Sequence, residues 1–361
     1  MSLEGGCLLH HLHRPHPTIY LSEWILPRVN SLLPTRVPGT TPRCEPKPFE
    51  QTASGFEGFQ QRLRAYGLEP DSILIVMEAT ASYWVSLATT LSQAGFAVSV
   101  INPAQAHHFA KAQLKRAKTD ALDAQTLAEL AQALVPERWT PPPHIYYELQ
   151  QRLAQRSSLL ELRTQVSNQL HALSVIPTVV PAVSRRFKQL IETINQQIAQ
   201  LDAELLELVK VEQESGEKPA EEEQRTDRIE QKWKAAIALL VSIPGIGLLT
   251  ASWLVVATLN FTLCESAEAA VHYVGLAPMI RLSGTSIRGR AQIGHSGHTR
   301  ARTQLYVATR ASARFHPVIK PYYERLRAAG KPMKVARCAC ARKLLHIAYA
   351  VVKHEQAFDP D

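Results

Sequence analysis

Three carboxylates stand where a chain could put them to work on phosphate. Glu78 directly follows the apolar run Ile73-Leu74-Ile75-Val76-Met77, which reads as a buried strand. The C-terminal end of a strand is where open α/β sheets place their sites. Asp120 and Asp123 are three apart at the start of a predicted helix, so they share one face. Plainer roles exist for each. Glu78 could be a surface or capping residue beside Thr80, and Asp120 could cap its helix at the positive end of the dipole. Three carboxylates brought together would repel one another unless a cation lay between them. An all-oxygen set of this kind suits Mg²⁺.

A second group lies near the other end of the chain. Ser283-Gly284-Thr285-Ser286 precedes Arg288 and Arg290. Glycine beside a serine lets a bulky phosphodiester approach the hydroxyl, and the arginines would stabilise charge on a pentacoordinate phosphorus. The same string is also an ordinary turn sequence. Ile243-Pro-Gly-Ile-Gly247 between two apolar stretches has the helix-hairpin-helix form. Gly245 and Gly247 would allow a tight turn, and the N–H groups of the second helix could hold a phosphate. Such a hairpin can equally serve only to pack helices. Arg300 and Arg302 complete the candidate nucleic-acid contacts. His295-Ser-Gly-His298 and Cys338-Ala-Cys340 invite a zinc reading. Cysteines two apart on a helix point apart, which counts against it.

The elements that must carry these groups follow from pattern. Gly55 to Tyr66 has helical periodicity, Ala81 to Ala94 is a helix closed by Gly95, and Phe96 to Ile101 is a second strand stopped by Asn102-Pro103. Ala104 to Lys111 and Asp120 to Leu134 are further helices, so residues 49–144 form an α/β layer. Pro141-Pro142-Pro143 ends it. Leu149 to Leu173 is helical, and Leu190, Ile194, Ile198, Leu201, Leu205 and Leu208 follow steps of four and three. That is a coiled-coil seam, packed within the chain or between copies. Glu212 to Asp227 reads as a polar linker. Residues 145–232 are thus a helical coiled-coil linker, and 233–361 a mostly helical domain closed by a helix over Lys334 to Val352. Residues 1–48 hold 8 of the 23 prolines and four histidines, and only Thr18 to Leu26 could form an element. This is the pattern of a poorly ordered leader.

Charge sorts the domains. Residues 271–361 carry 16 Lys/Arg against 4 Asp/Glu, while the whole chain nets +8. The basic excess therefore sits in the last quarter, as a phosphate-binding surface would. Apolar residues are 45% of the 361 and charged residues 20%, which excludes a wholly disordered chain. Five cysteines without regular spacing exclude a disulfide scaffold and fit a reducing cytoplasm. Lys234 and Glu265 bound a long uncharged run, but Pro244-Gly245 cuts it into halves too short to span a bilayer. No membrane partner and no signal peptide are expected.

The motifs together resemble a known family. Val76-Met-Glu-Ala-Thr80, Val100-Ile-Asn-Pro103, Phe109-Ala-Lys111 and Ala117-Lys-Thr-Asp-Ala-Leu-Asp-Ala124 resemble the RuvC-like DEDD domain of IS110-family insertion-sequence transposases. Gly275-Leu-Ala-Pro278, Leu282-Ser-Gly-Thr-Ser-Ile-Arg-Gly-Arg290, Tyr323-Glu-Arg-Leu326, Gly330-Lys331 and Arg342-Lys-Leu-Leu345 resemble that family's C-terminal transposase domain, in its IS1111 subgroup. The resemblance covers roughly residues 49–361. It implies a RuvC/RNase H-like fold, a coiled-coil linker and a helical transposase domain with a helix-hairpin-helix. It implies a DNA recombinase whose composite site uses a serine nucleophile and Mg²⁺, with a guide RNA encoded by the element, acting as a dimer or tetramer. Glu78, Asp120 and Asp123 match three of the four DEDD positions, and Ser283 matches the nucleophile, with Ser286 the other choice.

One departure stands out. The family's first Asp lies on an initial strand of the type Gly-Ile-Asp-Val, yet residues 1–48 contain no Asp. Glu23 is a poor substitute. The first strand is expected to be missing and activity to be weak. The rival reading is a relic that binds nucleic acid without cutting it. A second departure is His295 and His298, where the family often has a Lys and an Asn.

Overall fold

The computed structural model describes residues 18–21, 47–79, 83–114, 120–210, 221–279, 282–283, 287–288, 292–294 and 296–360. The chain forms two compact units, Met1–Pro141 and Pro142–Asp361.

In the first unit, β1 (Thr18–Leu21) pairs antiparallel with β2 (Lys47–Glu50). β1 falls in the one part of the leader that could form an element. α1 (Ala53–Arg64) starts at Thr52, whose hydroxyl accepts from the Gly55 amide at 3.1 Å, an N-cap. There follow β3 (Leu74–Glu78), α2 (Tyr83–Gln93), β4 (Ala97–Ile101), α3 (Pro103–Ala112) and α4 (Asp120–Leu134). β3 and β4 are parallel, in register from Leu74 opposite Ala97 to Glu78 opposite Ile101. The expected β-α-β-α order is therefore present. Asn102-Pro103 ends β4 and also starts α3. The Asn102 side chain accepts from Ala104 N at 2.8 Å, and Gln105 Oε1 accepts from Asn102 N at 3.2 Å, a reciprocal capping box.

Alternation along the two strands divides this unit into two layers. Ile73, Ile75, Met77 and Val98 pack with Phe59 and Leu63 of α1 and Leu87 and Leu91 of α2. Val76 and Ile101 pack on the opposite face with Ala106 of α3 and Leu130 and Ala131 of α4, joined by the partly buried Leu74 and Leu127. Each strand is therefore covered on both sides, which is why both read as continuous apolar runs.

The second unit is helical. α5 (His144–Ser174) and α6 (Pro181–Leu208) form an antiparallel hairpin. Ile194 and Ile198 of α6 pack with Val166, Leu159 and Leu160 of α5. The seam thus closes within the chain. Its first residue, Leu190, remains 43% exposed. Arg156 Nε donates to Asp202 at 2.5 Å, Arg152 Nε to Glu204 at 3.1 Å and Arg163 to Asn195 at 3.1 Å. These pairs fix the register of the hairpin.

The hairpin is not a separate linker. Its base, through Ile145, Leu149, Leu153 and Leu205, enters the core formed by Trp233, Ile237 and Leu240 of α7 (Glu221–Val241). Helix α7 also takes in Glu221 to Asp227, expected to be loop. Glutamates favour the first turn of a helix, where they meet the positive dipole end. Beyond α7 come α8 (Leu248–Thr258), α9 (Ala267–Val274), short strands β5 (Pro278–Met279), β6 (Leu282–Ser283), β7 (Ile287–Arg288) and β8 (Gln292–Ile293), then α10 (Thr299–Phe315), α11 (Ile319–Ala328) and α12 (Met333–His354). Every α8 residue from Thr250 to Thr258 is buried, as expected of a helix apolar all round. Among the described residues no helix is long and apolar enough to cross a membrane.

The Pro244–Gly247 turn joins α7 to α8. Gly245 has φ +98°, and a Cβ there would collide with Ser312 of α10. Ser312 Oγ in turn donates to Pro244 O at 3.2 Å or to Ala308 O at 3.1 Å. The turn is thus held by its close approach to α10.

Candidate active site

The sheet places Glu78 by parity. It is the last residue of β3, in step with Leu74 and Val76, and its register partner Ile101 lies in the α3/α4 layer. Glu78 therefore belongs to the face that α4 covers. On α4, Leu127, Leu130 and Ala131 meet that face. One and two turns back along the same stripe are Asp123 and Asp120.

The direction of α4 also matters. Just past its C-terminal end, Ser99 Oγ donates to Pro136 O at 3.0 Å or Glu137 O at 2.6 Å, and Trp139 N donates to Val98 O at 2.7 Å. That end thus sits at mid-strand level, and the N-terminal turns project toward the C-terminal edge where Glu78 lies. Asp123 is exposed and Glu78 half-buried. The side chain of Asp120 lies outside the described residues. Among the described residues, no three His, Cys, Asp or Glu side chains group closely enough to hold a metal. Glu78 and Asp123 are oxygen donors, the ligand type a hard divalent cation takes.

Ser283 lies on a strand rather than in a loop. β6 pairs antiparallel with β7, Leu282 opposite Arg288 and Ser283 opposite Ile287, and β5 pairs with β8, Pro278 opposite Ile293. Ser283 is therefore at the end of an inner hairpin, with Arg288 across from its neighbour. Only the backbone of Ser283 and Arg288 is described, and Ser286, Arg290 and His295 lie outside the described residues.

The base of this ribbon is built from close contacts. Gly275 has φ +81° at the end of α9, and a Cβ there would strike Ser296 O and the Arg302 guanidinium. Arg302 Nη1 donates to Ser296 O at 2.7 Å. Arg302, expected to meet phosphate, is thus engaged in clamping the two ends of the ribbon. Arg300 is likewise engaged, with Glu161 of α5 at 2.9 Å. Gly245 is taken up by α10 packing. Gly247 differs: it is the N-cap of α8, and open space surrounds the position of its absent Cβ.

Of the zinc candidates, His298 has a structural role. His298 Nδ1 accepts from Ala301 N at 3.2 Å, capping α10, and burial lowers its pKa. Cys340 is fully buried, while the half-buried Cys338 lines a groove. Burial pushes the Cys340 thiol up to about 11.

That groove, about 580 Å³, was not singled out from sequence. Its floor includes Leu276, Ile293 and Tyr322. Its α12 wall carries Lys334, Arg342, Lys343 and His346. The available signal was the spacing of Lys334, Cys338, Arg342 and His346 in steps of four, which sets them on one helical face.

Comparison with known proteins finds two transposase families along the chain. Residues 40–175 match the DEDD transposase family of IS110 elements, and residues 237–324 match the transposase IS116/IS110/IS902 family. The pilin gene-inverting protein of Moraxella bovis is 29% identical over 312 residues, 86% of this chain and 89% of that protein. Its Moraxella lacunata counterpart has the same identity and coverage. The insertion element IS110 uncharacterized 43.6 kDa protein of Streptomyces coelicolor is 31% identical over 115 residues, 32% of this chain and 28% of that protein. Two transposase segments in family order, on an α/β unit followed by a basic helical one, make this chain a DNA transposase/recombinase of the IS110 family.

Proposed function

We propose that the chain exchanges DNA strands through Ser283, with Glu78, Asp120 and Asp123 as holders of Mg²⁺. The main support is that Glu78 has the strand parity of the residues that α4 covers, and that Asp123 stands one turn before Leu127 on that helix, with Asp120 opening it. A divalent cation there would supply positive charge beside the reacting phosphate. The residues themselves have distinct tasks. The Ser283 hydroxyl attacks phosphorus, its Oγ–P bond forms, and one strand P–O bond breaks to leave a free hydroxyl end. Arg288 and Arg290 offset charge on the phosphoryl oxygens. The phosphoserine ester keeps the bond energy for rejoining. Gly247 opens the α8 N-terminus to a backbone phosphate. An element-encoded guide RNA, assembly as a dimer or tetramer, placement in the IS1111 subgroup and a cytoplasmic setting belong to the same reading. The Moraxella relatives are pilin gene-inverting proteins, which is in keeping with strand exchange.

The test is an adduct. Protein with Mg²⁺, guide RNA and element-end DNA should give a denaturant-resistant protein–DNA species. Ser283→Ala should abolish it and Ser286→Ala should not; the reverse pattern would move the nucleophile to Ser286. With no Asp in residues 1–48, three carboxylates hold the metal less firmly than four, so we expect a slow reaction. A relic would bind DNA, with affinity falling steeply as salt rises, and give no adduct at any Mg²⁺ concentration.

A further inference from the structure

We propose that the groove beside α12 receives an unstacked nucleotide of the DNA strand on which the enzyme acts. The inference rests on the chain being a DNA recombinase, and not on which hydroxyl attacks. Three observations carry it. The first is size and shape: about 580 Å³ is in the range of ligand pockets and exceeds one nucleotide.

The second is the division of its walls. Leu276, Ile293 and Tyr322 give an apolar floor, and Arg325 lies over the Tyr322 ring at 5.3 Å from its centroid. An aromatic ring backed by a guanidinium is a platform for a base. The opposite wall is cationic. Lys334, Arg342 and Lys343 are exposed, and among the described residues no carboxylate pairs with them. His346 has an acidic neighbour, Glu268 at 3.9 Å. Among the described residues no carboxylate lines the groove. A flat apolar floor with a cationic wall complements a base joined to its phosphates, and it does not suit an apolar peptide.

The third is position. Pro278 and Gln292, at the base of the ribbon that carries Ser283, are part of the rim. A DNA strand lying along that ribbon would meet the groove at the β5–β8 pair. Turning one nucleotide out of the stack would fix the register of the strand, as enzymes that act on extruded bases do.

Cys338, half-buried in the groove wall, reports occupancy without any mutation. The full chain is treated with N-ethylmaleimide, and labelling at Cys338 is read by peptide mass spectrometry. Saturating single-stranded DNA should slow Cys338 labelling by roughly tenfold or more, and the same DNA with abasic sites throughout should not. Affinity, read by fluorescence anisotropy at fixed salt, should fall by roughly tenfold for Tyr322→Ala. It should be kept in Tyr322→Phe and be unaffected for abasic DNA. Cys338 labelling unchanged at saturating DNA overturns the proposal while leaving the recombinase reading intact. Protection by single-stranded RNA but not DNA overturns the choice of strand. Absence of any nucleic-acid binding would remove both readings together.

Discussion

The two units hold their candidate site residues by different physical means. In the first, strand parity and a helical stripe do the work. Glu78 takes its face from β3 alternation, on the side that Leu127, Leu130 and Ala131 of α4 cover, and Asp123 stands one helical turn before Leu127. In the second, a ribbon bears Ser283, on β6 opposite Ile287 of β7. It is anchored by backbone-to-backbone approaches at Gly275 and Gly297 and by the Arg302 clamp. Parity tolerates side-chain change as long as register holds. A frame built on close approach tolerates no added atom. The second site should therefore be far more fragile to glycine substitution than the first.

The largest expected effect is at Gly275. Gly275→Ala puts a Cβ against Ser296 O and the Arg302 guanidinium at φ +81°, a backbone region that costs an L-residue about 1–2 kcal/mol before any collision. We expect a loss of roughly 2–4 kcal/mol in the second unit, seen as a lower melting transition, together with loss of the adduct. Gly245→Ala, at φ +98° against Ser312, should cost a similar amount. Wild-type melting in either variant would break the comparison.

A smaller effect comes from pH. His316 is fully buried, and its Nδ1 accepts from Val318 N at 3.1 Å and Ile319 N at 3.3 Å. Burial lowers its pKa. Above about pH 6.5 the ring is neutral in both folded and unfolded chains, and the cap at the start of α11 is intact. Below that, the unfolded chain takes up the proton first, so stability falls as pH falls. His298, lowered by burial as well, adds in the same direction. Denaturation of the second unit followed between about pH 7.5 and 5 should show the drop, and His316→Asn, which keeps an acceptor but does not titrate, should flatten part of it. An identical pH slope in wild type and His316→Asn would remove His316 as a cause.

What the sequence made legible follows the same division. The order β3, α2, β4, α3, α4 could be read because apolar strands, Gly95 and Asn102-Pro103 are local signals. The seam of α6 was legible from its spacing, but not its partner, because a seam on one helix does not name the surface that fills it. The expected separation of linker and last domain failed for a similar reason: Leu149 and Leu153 are ordinary helix residues until Trp233 and Ile237 pack on them. Arg302 carries the clearest lesson. A basic residue in a basic segment reads as a phosphate contact, and only the carbonyl of Ser296, six residues back, reveals its task. The α12 groove was hidden because its cations become a wall only where Leu276, Ile293 and Tyr322 leave space beside them.

The smallest effect has the opposite sign and lies in the first unit. Gly58 is exposed inside α1, its φ is not positive, and nothing lies within 4 Å of where a Cβ would stand. Glycine in a helix interior costs roughly 0.5–1 kcal/mol relative to alanine, because it has more freedom to lose on folding. Gly58→Ala should therefore stabilise the first unit by about that amount, slowing amide exchange in α1 peptides. It should leave the melting of the second unit and nucleic-acid affinity unchanged. The helix packs through Phe59 and Leu63, which the substitution does not touch, so a loss of stability would mean that α1 has a contact on its open side. The pairing of a gain at Gly58 with a loss at Gly275 would trace the difference between the open side of α1 and the ribbon base to the space around the backbone. Equal and small effects at both would show instead that the ribbon base relaxes, and that Arg302 alone holds it.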